Sequence, residues 1–101
     1  MTTKLFERHV ADNAKYDMGD EYCIVALNEE AGEVAGWYKK FVLRKNPTGK
    51  LSETDLLLEL GDVLYYLTRL ATLHGWSLDD VMQGNVDKLA ERRRKEYKQV
   101  V

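Results

Sequence analysis

The 101-residue chain has one cysteine, one proline and no long apolar run. A single cysteine excludes a disulfide within the chain and fits a reducing compartment, so we expect a cytoplasmic protein. No apolar stretch reaches the roughly 18 residues that a membrane span needs, and "MTTKLFERHV" contains no signal-peptide core. The formal net charge of −2 gives no general attraction to nucleic acid or to an anionic membrane. We expect one globular domain over residues 1–101, without a nucleic-acid or membrane partner.

Turn-forming residues are also scarce, which favours a few long helices over many short strands. The segment "LLLELGDVLYYLTRLATL" is apolar at intervals of three and four residues, as a helix requires, and not at intervals of two. The predicted fold class is therefore all-α, with four helices. Their predicted bounds are residues 3–14, 20–45, 52–74 and 77–98.

Local signals mark the helix ends. The stretch "YDMGD" breaks the first helix, and Asp20 is the predicted cap of the second. Ser52 with Asp55, and likewise Ser77 with Asp80, resemble capping boxes at the starts of the third and fourth helices. Gly75 fits the position after a helix that tolerates a left-handed backbone. "NPTGK" is the clearest loop.

The second and third helices are long for so small a chain. At 1.5 Å per residue, helices of this length extend about 35 Å, and a lone bundle would leave much of their apolar surface in water. We therefore expect the protomer to self-associate, as a homodimer or a homotetramer.

Acidic residues border the apolar stripe of both long helices. At 100° per residue, Glu33 lies about 60° from Glu30 in "NEEAGEV", and Asp62 lies about 60° from Glu59 in "ELGD". In each helix the pair stands on the same margin of the stripe. If the stripes pack in an antiparallel hairpin, the two pairs converge. The alternative is that all four are solvated surface residues. Glu29 lies further out on its helix.

Four converging carboxylates repel one another and need a compensating cation. An all-oxygen ligand set without histidine or cysteine favours Mg²⁺ or Mn²⁺ over zinc or copper. A ferritin-like di-iron bundle is disfavoured, because it needs two Glu-x-x-His motifs and neither His9 nor His74 follows a glutamate by three residues.

The combination of "EEAGE" with "ELGDVLYYL" resembles the signature of the MazG-type all-α nucleotide pyrophosphohydrolases. The resemblance extends over about residues 20–95 and includes "HGWSLDDV". It does not separate MazG proper from dimeric dUTPases, dCTP pyrophosphatases or phosphoribosyl-ATP pyrophosphohydrolases. It implies a four-helix MazG-type protomer that assembles into an oligomer. It also implies hydrolysis of a nucleoside triphosphate between the α and β phosphates, giving the monophosphate and pyrophosphate.

The resemblance implies roles for the five acids. Glu30, Glu33, Glu59 and Asp62 correspond to Mg²⁺ ligands, and Glu29 would orient a ligand or the attacking water. Such a reaction would control nucleotide pools or remove non-standard nucleotides. A non-catalytic helical module that binds a nucleotide or a protein is the alternative function.

Six further residues are candidates for substrate binding. By family resemblance Asn85 and Lys88 would contact the nucleotide, and Arg92 follows on nearly the same face; a helix contact with exposed cations is the alternative. Tyr66 shares the face of Glu59 and Asp62. The remaining two candidates are Trp37, which could contact a base, and Lys40, which could reach phosphates.

Overall fold

The computed structural model describes residues 1–14 and 19–100. Its elements are α1 (Thr3–Asn13), α2 (Asp20–Tyr38), a π-helical segment (Lys39–Leu43) that continues α2, α3 (Glu53–Leu73) and α4 (Leu78–Val100). No strand occurs within these ranges, so the predicted all-α fold with four helices is confirmed.

Two predicted boundaries of α2 need correction. Gly19, and not Asp20, is the N-cap, and its backbone is extended. Asp20 is the first helical residue, where its charge faces the positive end of the helix dipole. At the other end the helical conformation stops at Leu43, because the backbone turns left-handed at Lys45 and Asn46, with φ of 57° and 49°. Of "YDMGD", residues 16–18 lie outside the described part of the chain.

The other capping predictions are confirmed. The Ser52 amide donates to Asp55 Oδ2 at 2.7 Å, at the start of α3. At the start of α4 the Ser77 amide donates to Asp80 Oδ2 at 2.9 Å, and the Asp80 amide donates to Ser77 Oγ at 3.0 Å. Gly75 has a φ of +79° and ends α3 as predicted.

Helices α2 and α3 form an antiparallel hairpin, and it positions the site described below. Residues near the start of α2 contact residues late in α3, and residues near the end of α2 contact the start of α3. Tyr22 meets Tyr66 near the open end, with ring centroids 6.3 Å apart. At the closed end, Trp37 Nε1 donates to the Ser52 carbonyl at 2.9 Å. The loop between the helices is closed by the Asn46 side chain.

A small core forms where α1 and the start of α4 meet this hairpin. Val10, Cys23, Ala71 and Leu78 are buried there, one from each α-helix, together with Thr68. Thr68 can be buried because its hydroxyl donates to the Leu64 carbonyl at 2.7 Å.

Much apolar surface stays outside this core. The radius of gyration is 17.4 Å, against about 13 Å for a compact domain of 100 residues. Helix α4 is exposed beyond its first turn, and its apolar side chains Val81, Met82 and Leu89 are accessible to solvent. Exposed apolar residues on α2 and α3 include Ile24, Val25, Leu57, Leu58 and Leu60.

None of the helices described is long and apolar enough to cross a membrane.

Candidate functional site

Three carboxylates from two helices meet in the middle of the hairpin. Glu30 of α2 and Glu59 and Asp62 of α3 each offer an oxygen, and these oxygens lie within 4.8 Å of one another. The antiparallel pairing explains why: residue 30 is opposite the stretch of α3 in which residues 59 and 62 lie one turn apart. Glu30 and Glu59 are half-buried, and Asp62 is exposed.

The other two predicted acids lie beside this group and not within it. Glu33 is exposed and does not belong to the set of oxygens within 4.8 Å. Glu29 is exposed on the preceding position of α2. Both act on Glu30 through their charge. The structure thus separates Glu30 from Glu33, which the helical periodicity had treated as an equivalent pair.

The electrostatics of the group are those of crowded negative charge. Burial raises the pKa of Glu30, and the charges of Asp62, Glu29, Glu59 and Glu33 raise it further. Within the described residues, no lysine, arginine or histidine side chain forms an ion pair with these acids; the ion pairs are His74 with Asp20 and Arg94 with Glu91. The repulsion is therefore not balanced by the side chains that the structure describes.

This donor set fits a hard divalent cation. It consists of carboxylate oxygens from two helices, without a nitrogen or sulfur ligand, and Mg²⁺ is commonly held by one or a few carboxylates together with substrate phosphates. Zinc and copper favour histidine and cysteine. His9 is near by, but it is not a member of the group.

A cavity of about 350 Å³ opens beside the carboxylates. Glu30 and Asp62 line one part of it, and Tyr65 and Tyr66 of α3 line another. Among the described residues, helix α1 contributes His9 and Asn13 to the lining. The volume is within the range of about 300–1,000 Å³ that small-molecule sites usually have.

Tyr66 is the predicted substrate contact that the structure places in this cavity. Burial, together with the neighbouring Tyr22 hydroxyl, raises the pKa of Tyr66, and the charge of Glu30 adds to the shift. Its phenol is therefore protonated at neutral pH, next to an acid that belongs to the carboxylate group. A protonated phenol can donate a hydrogen bond to a carboxylate or to a ligand oxygen.

The candidates on α4 lie elsewhere in the single chain. Asn85 lines a mostly apolar groove together with Leu64 and Leu67 of α3. Lys88 and Arg92 line an open depression formed by α4 side chains alone. None of the three lines the cavity at the carboxylates.

Trp37 and Lys40 are also distant from this cavity. Trp37 stacks on Phe41, with ring centroids 4.9 Å apart, and its indole N–H is bound to the Ser52 carbonyl. These contacts join the end of α2 to the start of α3. Lys40 lines a hollow at the 44–51 loop, with Arg44 and Lys50.

Sequence reasoning missed His9, Asn13 and Tyr65. The sequence suggests a role for His9 only through a Glu-x-x-His motif, which His9 does not complete. The available signal was weak: residues 9 and 13 share one face of α1. Nothing in the sequence states that this face turns toward α3, which depends on how α1 packs through Val10.

Comparison with known proteins gives one family. Residues 19–96 match the model of the MazG nucleotide pyrophosphohydrolase domain. Gene 37 protein of Mycobacterium phage L5 is 37% identical over 76 residues, which are 74% of this chain and 67% of that protein. The Bacillus subtilis strain 168 protein named "Uncharacterized protein YvdC" is 38% identical over 72 residues, 65% of this chain and 68% of that protein. No solved structure gives a significant match.

Proposed function

The chain belongs to the MazG nucleotide pyrophosphohydrolase family, and on that premise we propose that it hydrolyses ribo- or deoxyribonucleoside triphosphates between the α and β phosphates. The products are a nucleoside monophosphate and pyrophosphate, and the proposed role is control of nucleotide pools or removal of non-standard nucleotides. The observation that carries the proposal is the group formed by Glu30, Glu59 and Asp62 beside a cavity of nucleotide size.

Mg²⁺ is the proposed cofactor, with Mn²⁺ as a substitute. Glu30, Glu59 and Asp62 would hold it, and Glu33, whose charge already acts on Glu30, would complete the ligand set. When bound, the cation supplies charge neutralisation for the triphosphate and makes a nearby water more acidic. A cation held there would offset the repulsion that no described side chain balances.

Glu29 is the proposed proton acceptor. In the reaction a water oxygen bonds to the α phosphorus, the α–β anhydride bond breaks, and pyrophosphate leaves with the electrons of that bond. One proton of the water must go to a base, and an exposed carboxylate next to Glu30 can take it. Tyr66, protonated and beside Glu30, would donate a hydrogen bond to a carboxylate or to the sugar.

Self-association is part of the proposal. The exposed apolar residues on α2, α3 and α4 would be buried by a second copy, at about 25 cal/mol for each Å² removed from water. Asn85, Lys88 and Arg92 do not line the cavity of their own chain, so their proposed contacts with substrate would be made across a protomer interface. A homodimer or homotetramer in analytical ultracentrifugation is the expected result, and a clean monomer would contradict it.

Pyrophosphate release tests the reaction. The protein is incubated with a panel of common and modified nucleoside triphosphates, with Mg²⁺ and with EDTA. We expect Mg²⁺-dependent release that falls at least 100-fold in Glu30→Gln, Glu59→Gln and Asp62→Asn. Glu21→Gln is the control, because Glu21 is an exposed acid at the start of α2, outside the group.

Two outcomes would defeat the proposal. One is no release from any triphosphate, with nucleotide binding retained, which would favour the non-catalytic binding module. The other is release that the three substitutions leave unchanged.

A further inference from the structure

Helix α1 lies outside the stretch that matches the family model, yet it forms one wall of the cavity. The match begins at residue 19, and α1 ends at Asn13. Among the described residues that line the cavity, His9 and Asn13 come from α1. The carboxylates come from the matched part, whereas His9 and Asn13, which carry no carboxylate, precede it.

The hydrogen bonds within α1 determine what His9 and Asn13 offer. Asn13 Nδ2 donates to the His9 carbonyl at 2.8 Å, and a carbonyl oxygen only accepts, so the amide orientation is fixed. The same Nδ2 lies 3.3 Å from His9 Nδ1. When Nδ2 donates to Nδ1 in this contact, Nδ1 is the acceptor and the ring N–H is on Nε2.

Two polar atoms on the exposed His9 and Asn13 side chains are accessible to a ligand. Asn13 Oδ1 and the His9 Nε2–H have no hydrogen-bond partner among the described residues. One is an acceptor and the other a donor. A nucleoside presents matching donors and acceptors on the edge of its base and on its sugar. A phosphate oxygen at neutral pH only accepts, so it can pair with the Nε2–H but not with Oδ1, and only a ligand that carries both kinds of group satisfies the two atoms.

Aromatic rings continue this wall. The His9 ring makes an edge contact with Tyr65, with centroids 6.1 Å apart, and Tyr65 makes an edge contact with Tyr66 at 5.2 Å. Phe6 supports the other side of His9, with centroids 5.6 Å apart. Aromatic faces stack on any base, because every base has a π-face.

From this arrangement we propose that His9 and Asn13 bind the nucleoside part of the substrate, while the phosphates lie at the carboxylates. The proposal rests on the proposed function and adds the substrate's orientation to it.

Ligand binding tests the orientation without requiring catalysis. Calorimetry on the full chain with Mg²⁺ measures the Kd of two kinds of ligand. The first is the eight common ribo- and deoxyribonucleoside monophosphates, and the second is pyrophosphate, which has no nucleoside. For His9→Ala and Asn13→Ala we expect the tightest monophosphate to bind at least 10-fold more weakly, and pyrophosphate to bind within twofold of the wild type.

Matched controls separate recognition from folding. Arg8→Ala and Asp12→Ala alter exposed α1 residues that do not line the cavity, and both should bind the monophosphate as the wild type does. His9→Gln places an amide N–H near the position of Nε2 and should recover most of the lost affinity. Thermal melting of each variant shows whether it folds.

Three results would overturn the proposal: an unchanged monophosphate Kd in both α1 variants, an equal loss for monophosphate and pyrophosphate, or no monophosphate binding by the wild type. Failure of the proposed reaction would look different, because binding would follow the α1 pattern while no triphosphate released pyrophosphate.

Discussion

Removing one charge from the carboxylate group should have opposite effects on stability with and without Mg²⁺. In Glu30→Gln the side chain keeps its shape and loses its charge. Without metal, Glu30 faces Glu59 and Asp62 with oxygens no more than 4.8 Å apart. Two unit charges at that distance repel by about 1 kcal/mol at the dielectric constant of water and by about 3.5 kcal/mol at an effective value of 20.

The lower figure applies here, because Asp62 is exposed and its side chain can turn away from Glu30. Because Glu30 faces two carboxylates, we expect Glu30→Gln to stabilise the metal-free protein by about 1–2 kcal/mol at low ionic strength. For a domain of this size, each 1 kcal/mol raises the melting temperature by about 4–8 °C.

The effect also depends on pH. The pKa of Glu30 is raised in the folded protein, so the folded state keeps this proton at a pH where the unfolded chain has lost it. The stability that this proton contributes is complete below the ordinary glutamate pKa and is lost as the pH rises through the raised value. Metal-free wild type should therefore lose stability over that interval, and Glu30→Gln should lose less.

With Mg²⁺ the order reverses. A ligand at 100 times its Kd stabilises the folded state by about 2.7 kcal/mol. The wild type should gain this, and Glu30→Gln should gain little. Thermal melts in EDTA and in saturating Mg²⁺ measure both effects, with Glu21→Gln as the control that should respond to Mg²⁺ as the wild type does. A variant no more stable than wild type in EDTA, or equally stabilised by Mg²⁺, would refute the reasoning.

Three further predictions concern the fold. Gly75→Ala should lower the free energy of unfolding by about 1 kcal/mol, because the φ of +79° at this position is strained for alanine. Gly84→Ala should raise it by up to about 1 kcal/mol, because Gly84 lies within α4 and has open space around it. Urea titrations measure both changes, and changes of the same sign would contradict this. Trp37→Phe loses the hydrogen bond to the Ser52 carbonyl and should cost about 1 kcal/mol while leaving pyrophosphate release intact, so a variant of normal stability and low activity would instead place the indole at the substrate. Burial raises the pKa of the Cys23 thiol, and Ellman's reagent should label it much more slowly in the native protein than in urea; equal rates would show that the core is open.

The helices and their ends could be predicted from sequence because their causes are local. The apolar spacing of "LLLELGDVLYYLTRLATL" is helical wherever the segment packs, and Ser77 with Asp80 forms its capping box within one turn. Asp20 shows the limit of this reasoning. A residue that is a good cap by type became the first helical residue, since Gly19 before it adopted the extended backbone of the cap.

The carboxylate site was predictable in part for a similar reason. Glu59 and Asp62 are one turn apart on one helix, so their proximity follows from helix geometry alone. Which acid of α2 stands opposite them depends on how far α2 and α3 are shifted along each other. The observed shift places Glu30 in the group and leaves Glu33 outside it, although both residues lie on the same margin of the apolar stripe of α2.

The sequence by itself determined the all-α class, the capped helix ends and the acidic motif, because these depend on contacts within a few residues. Only the tertiary structure decided that α1 brings His9 and Asn13 to the cavity, and that α4 is exposed beyond its first turn. Both depend on contacts between helices distant in the sequence. An apolar face indicates that a helix packs against a partner, and a polar face indicates that it faces solvent. Neither indicates which helix the partner is.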